Sequence, residues 1–263
     1  MTGNPEPAVQ ELQRQPFSEH LLELRRRLLW SLGIVVVGCL VAFVFREPLY
    51  AWLMEPYRQG MAAHFGPEMA EQMAFRSPIE PILVYMKTAL LAGFLVTVPL
   101  VLHQVWLFVA PGLYDAERRL AWPFLFFTYL FFSGGVLFCR YLVLSPAMTV
   151  LLGFAAPDQA SPSIMMQDYF AFTSKLLLLF GALFELPVVM AFLALIGVVT
   201  SAGLRKQWRI AVVGAFVVGA MLTPPDPLTQ IALAIPMVCL YGLSIVVVWI
   251  IEGRRSQDRE EAS

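Results

Sequence analysis

The chain has 263 residues, 59% of them hydrophobic and only 14% charged, against about 25% charged in soluble domains. Its formal net charge of −1 argues against a nucleic-acid binder, which carries a basic surplus. The apolar excess excludes a row of soluble domains and describes one integral membrane domain.

Taken in chain order, apolar runs and breakers predict six membrane helices. Residues 1–16 are polar and proline-containing and read as a flexible terminus. Ser18 can cap a helix that passes Glu19 and Glu23, meets Arg25-Arg26-Arg27 and enters the first apolar run, Leu28–Phe45. That arrangement resembles an export signal, but no small-residue cleavage pattern follows and five further spans do, so the segment is read as retained. The outer loop from Pro48 to about Pro81 is the longest connection, with a short helix expected near Glu68 to Met73. The second span covers about Ile82 to Val109, ending at Pro111-Gly112, and the third covers Trp122 to Leu144, stopped by Pro146. The fourth extends from about Phe170 to Val199. The fifth, Ile210–Leu222, has thirteen residues, reaching about 20 Å of a hydrocarbon core roughly 30 Å thick. The sixth runs from Leu228 to Ile251 with Pro236 inside it, and residues 252–263 read as a flexible tail. The membrane domain is therefore 17–251.

Orientation follows from the basic residues. Arg14, Arg25, Arg26, Arg27, Arg118, Arg119, Arg205, Lys206, Arg209, Arg254, Arg255 and Arg259 fall on one side; Arg46, Arg58, Arg76, Lys87, Arg140 and Lys175 fall on the other or at nearby helix ends. Twelve against six of the 18 cations places both termini in the cytoplasm. Lys87, Arg140 and Lys175 lie near outer helix ends and read as snorkelling anchors. Cys39, Cys139 and Cys239 lie far apart in apolar segments and read as small buried hydrophobes.

No zinc-type His-Glu-x-x-His, nucleophile elbow or phosphate-cradling glycine loop occurs, which points away from an enzyme. The carboxylates carry more. Glu185 sits inside the apolar run Leu176–Ile196, about twenty residues long and long enough to cross a bilayer. A charge there costs roughly 3 kcal/mol on insertion scales and marks a working surface by default. Phe184-Glu185-Leu186-Pro187 adds a second polar element, because the proline frees a backbone carbonyl. Two readings stay open for Glu23, an i,i+4 salt bridge to Arg27 or a ligand for an incoming cation. Glu117, in Tyr114-Asp115-Ala116-Glu117-Arg118-Arg119, has the same two, dipole partner of the third helix or ligand. An arginine fork suits paired carboxylates best. Asp226 reads equally as a turn and cap residue, and Gln230 equally as an interhelical hydrogen-bonding group. The rival reading is a secondary transporter relaying protons through Glu185 and Asp226, but no inverted repeat supports it.

At these residues the chain resembles the TatC family, the multispanning receptor subunit of the twin-arginine protein translocase. The resemblance rests on His20-Leu21-Leu22-Glu23-Leu24-Arg25-Arg26-Arg27, on Gln104-Val105-Trp106-Leu107-Phe108-Val109-Ala110-Pro111-Gly112-Leu113-Tyr114, and on Glu117-Arg118-Arg119. Phe184-Glu185-Leu186-Pro187, Val213 to Gly219, Leu222-Thr223-Pro224-Pro225-Asp226 and Leu233-Ala234-Ile235-Pro236-Met237 continue it, over about Phe17 to Arg255.

The resemblance implies an all-α fold of six transmembrane helices, the fifth and sixth short, with a concave inner face and both termini cytoplasmic in the bacterial inner membrane. It implies a receptor that binds twin-arginine signal peptides and helps move folded proteins, driven by the proton-motive force, without cofactor or metal. Glu23 and Glu117 match the positions that hold the arginine pair, and Arg25, Phe108, Tyr114, Arg118 and Arg119 match positions supporting that site. Glu185, Asp226 and Gln230 match polar positions on the inner face. The partners implied are TatA- and TatB-type single-span subunits, signal peptides of folded cargo, membrane lipids and further copies of the chain.

Overall fold

A computed structural model describes residues 17–70, 73–109, 121–153, 163–222 and 227–261. The described residues are nearly all helical. Five helical segments are long and apolar enough to cross a membrane: Leu21–Val44, Glu80–Phe108, Phe124–Gly153, Met166–Leu195 and Thr229–Gly253. Trp208–Leu222 is a shorter apolar helix.

Helix α1 spans Phe17–Val44 and packs along α3, Glu80–Val109. It begins at Phe17, so Ser18 lies inside the first turn rather than at the cap. Gly93 makes the close crossing, because a Cβ there would stand 2.5 Å from the Cα of Cys39. The rest of α1 is bare, with Leu28, Leu32, Val36 and Leu40 all exposed, as suits a helix that faces lipid.

The outer loop holds a 20-residue helix, α2, Arg46–Phe65; of the stretch expected to be helical, Glu68 to Met73, the first three residues lie in a turn at 67–70, and 71–72 lie outside the described residues. Two prolines are accommodated in it. Pro48 sits in the first turn, where its N–H would have no helical partner. Pro56 lies mid-helix and leaves the carbonyl of Trp52, four residues back, without its donor. Arg140 supplies two donors instead, from Nε at 3.0 Å and Nη2 at 2.8 Å. Its guanidinium also lies 5.1 Å from the Trp52 ring and 5.2 Å from the Tyr141 ring. Arg140 is only 2% exposed, so it is a buried clamp and not a snorkelling anchor.

The third span does not stop at Pro146. Helix α4, Ala121–Phe138, passes through a π-helical segment, Cys139–Leu144, into α5, Ser145–Gly153, the wider turns carrying the chain past the proline. The fourth span is two helices, α6 Met166–Phe184 and α7 Leu186–Leu195, with Glu185 between them. A short helix α8, Ser201–Lys206, precedes α9, Trp208–Leu222. The last helix, α10, runs Pro227–Glu261. It is not short, as the family resemblance suggested, because Pro236 does not end it and the apolar sequence continues. Residues 252–261, read as a tail, are helical.

The largest core cluster gathers residues of α2 to α6, among them Leu53, Tyr57, Val84, Phe132, Leu144 and Phe180. A second, with Ala194, Leu204, Ile245 and Val248, joins α7, α8 and α10. Two ends follow from these contacts. The start of α1 meets the finish of α3 through Arg27 and Gln104, and Trp106 near that finish meets Phe192 of α7. This is the terminal end. At the far end, Ala74 pairs with Met165, and buried Glu80 accepts from the backbone N–H groups of Arg76 and Gln167. Cys139 is buried, Cys39 half-buried and Cys239 exposed, and all three are free thiols; the reading of all three as buried fails at Cys239, which lies on an outward face of α10.

Candidate functional site

Glu23 lies one turn before Arg27 on α1, which places both side chains on one helix face. Their ion pair measures 3.3 Å, with each side chain about a third exposed. Arg27 reaches further, donating from Nη1 to Gln104 Oε1 at 3.3 Å. The two helices are thus joined by one guanidinium at the terminal end. The ion pair is the salt bridge anticipated as the plain reading of Glu23, and exposed pairs of this kind contribute only about 0.3–0.5 kcal/mol.

Beside this pair an aromatic cluster fixes three helix ends. The Trp106 ring of α3 lies 4.8 Å from Phe124 of α4 and 4.6 Å, edge to face, from Phe192 of α7. Arg25 is exposed, and Phe108 is half-buried in the last turn of α3. Glu117, Tyr114, Arg118 and Arg119 lie outside the described residues, as does Asp226.

A second polar locus lies within the membrane segment Met166–Leu195. Glu185 has φ −74° and ψ −14° and interrupts the helix two residues before Pro187. The interruption follows from the proline, whose missing N–H leaves the carbonyl of Leu183 without a helical donor. Glu185 Oε1 is buried and has no hydrogen-bond partner among the described residues. Thr128 of α4, whose hydroxyl is equally buried and unpaired, is the polar side chain facing it. Gln230 is not brought to this carboxylate. Its amide Nε2 donates to the Phe216 carbonyl at 3.0 Å, tying α10 to α9 as the interhelical reading expected.

The sequence profile described as "Sec-independent protein translocase protein (TatC)" matches residues 19–236. The chain belongs to the TatC family. It is 37% identical over 252 residues to the Sec-independent protein translocase protein TatC of Koribacter versatilis, covering 95% of this chain and 91% of that protein. It is 39% identical over 254 residues to the corresponding TatC of Magnetococcus marinus, covering 95% and 90%. A crystal structure of the twin arginine translocase receptor TatC in DDM superposes with a TM-score of 0.76 at 36% identity, covering 87% of this chain and 98% of that one.

As a TatC-family protein the chain is a multi-pass membrane protein and a component of a transport system. The matched region contains Glu23, Phe108, Glu185 and Gln230, and also the undescribed Glu117 and Asp226. Two residues that sequence reasoning did not assign, and one it read as a snorkelling anchor, prove structurally active here. Gln104 receives Arg27, Thr128 faces Glu185, and Arg140 clamps α2. Gln104 stood inside a quoted motif and Arg140 carried a charge in an apolar run, so both had a signal. Thr128 had none, since a threonine in a membrane helix satisfies itself as often as it meets a neighbour.

Proposed function

We propose that the chain is the receptor subunit of a twin-arginine protein translocase, and that Glu23 with Glu117 captures the arginine pair of a signal peptide. The observation that carries this reading is the Glu23–Arg27 pair, 3.3 Å long and partly open to solvent. An incoming arginine fork takes a carboxylate bidentately, whereas Arg27 offers Glu23 a single nitrogen. Arg25, Phe108, Tyr114, Arg118 and Arg119 support the same site. Both termini are cytoplasmic and the chain resides in the bacterial cytoplasmic membrane, a reading supported by the excess of cations at the terminal end.

Glu185 offers its unpaired oxygen to a polar group on the single membrane helix of a TatA- or TatB-type partner, with Asp226 and Gln230 on the same inner face. Further copies of the chain complete the complex, and the proton-motive force drives transport of folded cargo. The family identity and the similar receptor structure support these assignments. The test is precursor binding to membranes that carry Glu23→Lys or Glu117→Lys. Each change puts a cation where a guanidinium must dock, and the expected outcome is a loss of binding of at least about tenfold. Undiminished binding in both variants removes the carboxylates from recognition.

A further inference from the structure

At the terminal end, α8, α9 and α10 enclose an open cleft of about 530 Å³ lined by Arg205, Lys206, Trp208, Arg209 and Ile245. That volume lies within the roughly 300–1,000 Å³ of small-ligand sites. Arg205 and Lys206 occupy the last turn of α8, and Arg209 is the second residue of α9. None of the three is paired with a carboxylate among the described residues. Glu252 of α10 is engaged elsewhere, since it accepts from both the backbone N–H and the hydroxyl of Ser201. Tyr241 ties the elements around the cleft together. The Tyr241 hydroxyl donates to the Leu204 carbonyl at 2.9 Å, and the Tyr241 ring lies 5.8 Å from that of Trp208.

The depth of the cleft is as informative as its charge. Trp208 opens the apolar helix Trp208–Leu222, and Ile245 belongs to the apolar segment Thr229–Gly253. Trp249, one turn beyond Ile245, is 58% exposed. Tryptophans at this level mark the boundary between water and hydrocarbon. A general excess of cations on one side accounts for the side on which these three lie, but not for their convergence, unpaired, on one cleft with an apolar floor.

We propose that this cleft binds the phosphate-bearing headgroup of an anionic phospholipid. The three cations take the phosphate oxygens, with the arginines able to do so bidentately. Trp208 and Ile245 carry the glycerol and the first methylenes of the acyl chains. Basic pockets between membrane helices take headgroups in this manner. A free phosphate would satisfy the cations and leave the apolar floor unused.

Native mass spectrometry of the full chain in detergent tests the proposal, with phosphatidylglycerol and phosphatidylcholine of matched acyl chains as probes. Phosphatidylglycerol should be retained at least about fivefold better than phosphatidylcholine. The triple change Arg205→Gln, Lys206→Gln, Arg209→Gln should abolish that preference, whereas Arg46→Gln at the far end should leave it intact. Arg205→Lys with Arg209→Lys should retain most of it, which separates lost charge from lost folding. Should the triple variant not fold, Lys206→Gln and Arg209→Gln taken singly must each lower the preference. Equal retention of the two lipids by the unaltered chain overturns the proposal, and so does an undiminished preference in the neutralised variants. Displacement of the lipid by millimolar inorganic phosphate makes this a free-anion site and equally overturns it.

Discussion

Arg27 has two partners of different kinds, a carboxylate 3.3 Å away on its own helix and a side-chain amide 3.3 Å away on the next. If a signal-peptide arginine competes with it for Glu23, removing it should help the guest. Arg27→Gln is therefore expected to strengthen binding of an arginine-pair signal peptide by about twofold, the size of one exposed i,i+4 pair. A peptide titration reads this directly, and a tenfold loss instead would make Arg27 a binding residue in its own right. The Glu23 pairing was legible from spacing alone, because residues four apart on a helix are neighbours. Its alternative role was not, since a carboxylate that suits a helix start and one that awaits a ligand look alike in sequence.

At the scale of elements, the apolar spans were legible because each needs about twenty residues of hydrocarbon-compatible sequence. Their interruptions were not. Pro146 read as a stop and Pro48 as the start of a loop, yet both, like Pro56, are carried inside a helix. For Pro56 the reason lies far away in sequence, where Arg140, 88 residues beyond Trp52, satisfies the carbonyl that the proline orphans. This account makes a coupled prediction. Arg140→Met should destabilise the fold by about 1–3 kcal/mol, the cost of a buried carbonyl without a donor. Pro56→Ala restores a backbone N–H four residues after Trp52, so in that background the same change should cost clearly less. Thermal unfolding of the four proteins in detergent measures the coupling, and strict additivity would remove Arg140 from that role. Pro187 signalled a distortion next to Glu185, but not that the span would divide into two helices there or that Oε1 of the carboxyl would lack a partner among the described residues.

For the whole molecule, side chains that share an end of the bundle must share a compartment once orientation is set. Gln59 of α2 and Gln207, between α8 and α9, are both exposed and lie at opposite ends. In a background without Cys39, Cys139 and Cys239, Gln59→Cys should react with a membrane-impermeant maleimide on intact cells. Gln207→Cys should react only after permeabilisation, and the reverse pattern would invert the topology. Helix α9, 15 residues long, spans about 22 Å of a core roughly 30 Å thick. The bilayer beside it is therefore expected to be thin, on the flank where α10 carries Gln230. The multi-span helical plan was readable because composition and length constrain it. The proposed recognition surface rests on resemblance, since Glu117 and Glu23 lie 94 positions apart (117 − 23) in the chain and no local pattern joins them.

The most direct measurement compares two signal peptides that differ only in an arginine pair against a lysine pair, titrated onto the purified chain and onto Glu23→Gln. A bidentate carboxylate site predicts that the arginine peptide binds the unaltered chain at least about tenfold tighter, and that the gap narrows in Glu23→Gln. Equal affinity of the two peptides for the unaltered chain would contradict the account.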